Sequence, residues 1–165
     1  MEKNKLEAYL DIETTSLLNC GGIITVIGIY ITDGIEEKFI QLIGEEVTGD
    51  NLLKALEGVE IIYTYNGSEF DLPFIKEYIG IALADYFKHI DLKHDCWRKN
   101  LFGGLKKVEK TLGIERKTKG IDGIKAIELW GRYKNFKDEE ALKTLLEYNK
   151  EDVMNLKKIK EILCK

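Results

Sequence analysis

Alternation of apolar and polar positions opens the chain. In KLEAYLDIE, Leu6, Ala8, Leu10 and Ile12 alternate with Glu7, Tyr9, Asp11 and Glu13, a period of two that predicts a strand with one face in a core. TTSLLNCGG reads as a connection, and IITVIGIYI, almost wholly apolar, predicts a second strand covered on both faces. Asp33-Gly34 is a hairpin signal that returns the chain through EEKFIQLIG. These three strands are expected to form an antiparallel meander.

The period then changes. EEVTGDNLLKALEG carries Leu52, Leu53 and Leu56 on one side of a helix that starts near Asp50, with Gly58 as its stop. VEIIYTY follows as a fourth strand, reached by a crossover long enough for parallel pairing. FDLPFIKEYIGI predicts a helix after Asp71, with Pro73 in the first turn where its missing N–H costs little. HIDL fits a short fifth strand. GLKKVEKTLG, GIKAIELWGRY and DEEALKTLLEY repeat apolar residues at spacings of three and four, and EDVMNLKKIKEIL is read as a separate last helix. Meander, crossover, strand and a helical second half predict one α/β domain over residues 1–165, a mixed central sheet flanked by helices. The lysine-rich ERKTKG, Glu115 to Gly120, is expected to be the most mobile loop.

Composition narrows the class without naming it. The 165 residues are 44% hydrophobic and 33% charged, with a single proline, the balance of a soluble globular protein. A net charge of −4 argues against a protein that coats a nucleic-acid backbone by charge alone. Cys20, Cys96 and Cys164 are odd in number and unpatterned, so neither a disulfide framework nor a cysteine zinc site is indicated, and His89 and His94 add no support for one. No apolar run approaches the roughly 18 residues of a membrane span, and MEKNKLEAYL lacks a signal-peptide core. A cytoplasmic setting is the expectation, with no membrane and no obligate protein partner.

Several carboxylates sit at element ends. Asp11 and Glu13, at i and i+2, share a strand face; that face is either solvated or, at the carboxyl end of a central strand, the edge of a ligand crevice. Asp71 is either a helix N-cap or part of such a site. In YNKED, Tyr148 and Asp152 share a face if one helix continues; alternatively Asn149 and Asp152 form a capping arrangement between two helices. Converging carboxylates repel unless cations neutralise them, and hard oxygen ligands suit Mg²⁺ or Mn²⁺. A pair of such ions can clamp both oxygens of a phosphoryl displacement.

DIE at Asp11 to Glu13, NGSEFD at Asn66 to Asp71 and YNKED at Tyr148 to Asp152 resemble the three exonuclease motifs of the DnaQ-like, ribonuclease H-like superfamily in its DEDDy form. More narrowly, DIETTSL, TYNGSEFDLPF, HIDL, GLKKVEKTLGI and LLEYNKEDVMNL, in that order, are similar to a family of ribonuclease H-like domains regarded as 3′–5′ exonucleases. The similarity spans most of the chain and implies a ribonuclease H-like α/β fold. It implies that Asp11, Glu13, Asp71 and Asp152 hold two divalent cations, Mg²⁺ or Mn²⁺, and that Tyr148 positions the attacking water. Leu17 would abut the terminal base, Thr14 would lie by the terminal sugar, and Asn66 would support or contact the substrate. Ser16 stands where the family usually has glycine, which bears on the fit of the terminal nucleotide. The implied substrate is the 3′ end of single-stranded DNA or RNA, and the product a nucleoside 5′-monophosphate.

Two other readings compete. A non-catalytic binding domain would lack a carboxylate or Tyr148, and none is missing; an endonuclease or structure-selective nuclease would use the same residues. Arg98, Lys99, Lys106, Lys107, Lys110, Arg116, Lys117 and Lys119 are expected to form a cationic approach surface. Trp97 and Phe102 are candidates either for stacking on bases or for the core. Asp91 in HIDL is expected to buttress the crevice.

Overall fold

Five strands form one mixed sheet in the computed structural model, which describes residues 5–165. Met1–Asn4, on which part of the leader reading falls, lie outside the described residues. The strands are β1 (Glu7–Thr14), β2 (Ile24–Thr32), β3 (Glu37–Ile43), β4 (Ile61–Thr64) and β5 (Lys88–Asp91). Their order in the sheet is β3-β2-β1-β4-β5. β1 pairs antiparallel with β2, and β2 with β3, completing the expected meander; β4 and β5 add in parallel on the other side. β1 therefore sits at the centre, and β2 is buried along its whole length, as its apolar run predicts.

Helices cover both faces: α1 (Gly49–Ala55), α2 (Asp71–Ile79), α3 (Leu92–Arg98), α4 (Leu105–Thr111), α5 (Gly123–Phe136) and α6 (Glu139–Leu163). Ala8, Leu10 and Ile12 of β1 pack with Leu52, Phe74 and Ile75 in the core beneath α1 and α2. The opposite side of β1 is not a solvated face. Tyr9 packs there with Tyr30, Tyr63, Val153 and Leu156 beneath α6. Two amphipathic layers on one sheet thus bury both sides of its central strand.

Two expectations change. α3 had no strong periodic signal, and it follows β5 without a loop because the Asp91 carboxylate accepts the Lys93 N–H at its start (3.1 Å). The chain also does not break at YNKED: α6 runs unbroken for 25 residues, about 37 Å at 1.5 Å per residue. No glycine or proline interrupts it, and the polar side chains that could have capped a break are bonded elsewhere. None of the helices among the described residues is long and apolar enough to cross a membrane.

Candidate metal centre

The carboxyl end of β1 delivers Asp11 and Glu13, and one turn of α6 delivers Asp152. Carboxylate oxygens from these three residues lie within 4.8 Å of one another. Strand pleating puts Asp11 and Glu13 on one side, and α6 crosses that side. The uninterrupted helix keeps Tyr148 and Asp152, four residues apart, on the face toward β1. The solvated-face reading of Asp11 and Glu13 fails for the same reason.

Burial and mutual repulsion make this set hard to ionise. Loss of water around Asp11, with Asp152, Glu13 and Asp71 nearby, holds its carboxyl well above the usual carboxylate range. Burial and then Asp152 push Glu13 up to about 8. Asp152 is raised too, because burial outweighs the neighbouring Arg116 and Lys106. Glu13 Oε1 is buried with no hydrogen-bond partner. An all-oxygen set with an unpaired buried acceptor fits a hard divalent cation, so Asp11, Glu13 and Asp152 are the residues that could hold one.

Asp71 is buried beside this set but outside it. It is the first residue of α2, whose cap is Phe70, so the N-cap reading does not hold. Its Oδ1 accepts the backbone N–H of Ile12 (3.1 Å), tying the end of β1 to α2. Burial raises its carboxyl to about 7 against the backbone donors that favour the charged form.

Two cavities border the carboxylates. One, of about 610 Å³, is lined by Asp11, Glu13, Asp152 and Tyr148 together with Thr14, Leu17, Ile124 and Ile127. Leu17 and Ile124 are largely exposed there, giving it an apolar mouth. The other, of about 440 Å³, also borders Asp11 and Asp152, and is lined by Asn66, Lys93, Trp97 and Lys106. Asn66 adopts the left-handed backbone (φ 63°); its N–H donates to Asp91 (2.8 Å) and its side-chain oxygen accepts from Lys93 Nζ (2.9 Å). Asp91 also accepts from Ser68 N (3.1 Å). The expected buttress is thus a clamp on the turn after β4.

The cationic segment does not form one even surface. Arg98 pairs with Asp95, and Lys99 Nζ donates to the Leu163 carbonyl. Lys106 Nζ donates to Tyr148 Oη (2.6 Å) and lies 4.7 Å from its ring centre. Arg116 turns inward: it donates to both oxygens of Glu109 (2.7 and 2.9 Å) and to Asp152, and lies 3.3 Å from Glu151. The N–H groups of Lys117 and Thr118 bond the Glu151 carboxylate. ERKTKG, expected to be mobile, is therefore pinned to α6. Asn149, read in the sequence only as a possible cap, instead places its side-chain N–H₂ at Asp11 Oδ2 (3.2 Å) and the Asp11 carbonyl (3.3 Å). The only signal for this contact was an Asn placed one residue after Tyr148.

The raised carboxylates predict a pH dependence. The ordinary values are 4.5 for Glu13 and 3.8 for Asp71. The folded chain keeps protons that the unfolded chain has released, so stability is lost as pH rises from about 4 through about 8. With chelator present, the melting temperature is expected to fall by several degrees between pH 5 and pH 8. Added Mn²⁺ is expected to raise it more at pH 8 than at pH 5. A chelated protein that melts at the same temperature across this range would contradict the buried-carboxylate assignment.

No curated protein matches the chain. Among solved structures, a family B DNA polymerase from Pyrobaculum calidifontis is similar at 18% identity and a TM-score of 0.69, over 97% of this chain and 24% of the polymerase. The chain thus spans about a quarter of that protein. NrnC of Brucella melitensis, with bound Mg²⁺, is similar at 19% identity and a TM-score of 0.60, over 98% of this chain and 72% of NrnC. These likenesses carry the fold, a mixed sheet flanked by helices in the ribonuclease H-like arrangement. The model of the RNase_H superfamily matches residues 8–164, and with nearly the whole chain inside that match, the protein belongs to this superfamily.

Proposed function

We propose that the protein is a metal-dependent nuclease that removes nucleotides from the 3′ ends of single strands, releasing nucleoside 5′-monophosphates. The observation that carries this reading is the placement of Asp11, Glu13 and Asp152 where two unlike cavities meet. A phosphodiester at the carboxylates would have one nucleoside on each side. The apolar mouth with Leu17 and Ile124 suits a terminal base, with Thr14 at its sugar. The cavity with Lys93, Lys106 and Trp97 suits the preceding nucleotide and its phosphate. The Mg²⁺ described for the Brucella protein agrees with the donor set here.

When bound by Asp11, Glu13 and Asp152, a pair of divalent cations would supply Lewis acidity to the scissile phosphate and lower the pKa of water. The chain's own groups do the rest. Tyr148 Oη accepts a hydrogen bond from the Lys106 ammonium, so its own O–H is left to donate to water or a phosphate oxygen. Burial, and then the charge of Asp152, raise the phenol above its ordinary 10. Tyr148 stays protonated at neutral pH and orients the nucleophile instead of deprotonating it. Asp71 holds the end of β1 through Ile12, which keeps Asp11 and Glu13 in register with α6. Water adds to phosphorus, the bond to the upstream 3′ oxygen breaks, and that oxygen leaves as a hydroxyl.

Three substrates test the reading. A 5′-labelled single strand with Mn²⁺ is expected to give a ladder shortening from its free 3′ end, and none with chelator or a blocked 3′ end. The 4-nitrophenyl ester of thymidine 5′-monophosphate, in which an aryl group replaces the upstream strand, is expected to release nitrophenolate. Cleavage of a circular single strand would transfer the same site to an endonuclease. Neither strand nor ester cleavage with either metal would overturn the reading.

A further inference from the structure

The hydrogen bonds behind Asp11 run outward across the sheet. Asp11 of β1 is paired with Gly28 of β2, and Gly28 with Gln41 of β3. The glycine leaves a gap in this row, and Asn149 of α6 fills it. A Cβ on Gly28 would stand 2.2 Å from Asn149 Oδ1 and 2.9 Å from Val153 Cγ2. Asn149 is fully buried.

The direction of the amides follows from the far end. Gln41 Nε2 lies 2.9 Å from the Leu146 carbonyl, a group that only accepts, so the Gln41 N–H₂ must face it. The same N–H₂ donates to Asn149 Oδ1 (3.0 Å). Asn149 is thereby turned with its own N–H₂ toward the Asp11 carboxylate and carbonyl. Each group along the path is satisfied in only one orientation.

We infer that Gln41 and Asn149 form a relay that presets the Asp11 carboxylate for a divalent cation, with Gly28 as the opening that admits it. Both are positioning residues: neither offers an oxygen to the three-carboxylate set, and Gln41 lies two strands from Asp11. The inference rests on the metal-binding part of the function proposed above. Hydrogen-bond partners that orient a metal ligand typically govern about 10- to 100-fold in affinity.

The test is Mn²⁺ binding without substrate, measured by calorimetry on the full chain, with thermal melts of every variant. Asn149→Ala is expected to raise the Mn²⁺ dissociation constant by about 10- to 100-fold, and Gln41→Leu to raise it by a smaller factor. Gly28→Ala retains every relay group but displaces Asn149, so it is expected to weaken Mn²⁺ as well. In the Gly28→Ala, Asn149→Ala double variant the clash with Asn149 is gone and only the 2.9 Å approach to Val153 Cγ2 remains; melting temperature should recover in part over Gly28→Ala alone while Mn²⁺ affinity does not. Parent-like Mn²⁺ affinity in both Asn149→Ala and Gln41→Leu would overturn the relay. So would affinity that recovers along with melting temperature in the double variant. A parent protein that binds no Mn²⁺ would instead overturn the metal reading on which the relay depends.

Discussion

Asp11→Asn is expected to lower cleavage by roughly 10³-fold or more, with the chain still folded. Cation catalysis contributes several kcal/mol to the transition state, and each 1.4 kcal/mol is a factor of ten. Asp11, like Asp152, faces both cavities, and its carboxyl is raised by burial and then by the charges of Asp152 and Glu13. An amide of the same shape removes a ligand and a charge together. It also relieves repulsion among buried carboxylates, so the variant should melt no lower than the parent in chelator. The two readouts are a steady-state assay on a 3′-labelled strand and a thermal melt. Near-parental turnover would remove Asp11 from the site; lost turnover with a melt far below the parent would make the effect structural.

Arg116→Met is expected to have the largest effect on stability. The Arg116 side chain is 11% exposed and Glu109, its two-pronged partner, is 1% exposed. Removing one member of a buried ion pair leaves the other uncompensated, at a cost of about 3–5 kcal/mol. For a chain of this length that is a fall of roughly 10 °C in melting temperature. Asn155 donates to Glu109 as well (3.1 Å), but a neutral amide cannot replace the guanidinium. The Glu109→Met, Arg116→Met double variant is expected to regain the part of the loss that comes from stranding Glu109, and not the part from Asp152 and Glu151, which still lack the guanidinium. An unchanged melt for Arg116→Met would show that solvent reaches Glu109 freely.

Much of this architecture was legible from periodicity. The alternation in KLEAYLDIE, the apolar run of β2 and the Asp33-Gly34 turn each specify local geometry, and local geometry was enough for the meander. The placement of Asp11, Glu13 and Asp152 together was legible only as an expectation from motif order. The break read at YNKED was wrong for a definite reason. Asn149 and Asp152 have the residue types of a cap, but their side chains bond Asp11 and Arg116, so the helix backbone has no competitor and continues. α3 was missed because seven residues after a strand carry too little periodicity, and its start depends on Asp91, shared with the turn after β4. Arg116 reads in sequence as one more cation of a loop. Its partners Glu109 and Asp152 lie 7 and 36 positions away, and no pattern along the chain pairs them. The same holds for Gln41 and Asn149, 108 positions apart.

The unbroken α6 has a consequence for how far the length of this chain can vary. A single inserted residue between Tyr148 and Asp152 would rotate everything beyond it by about 100° and carry Asp152 off the face that meets β1. No loop lies nearby to absorb the error. The hairpin between β2 and β3 is the opposite case: Thr32 pairs with Glu7, so its tip lies at the end of β1 remote from the carboxylates, and Ile35 projects there into solvent. Insertions at that tip can grow a new surface without disturbing a single ligand, whereas within α6 even one residue is too many.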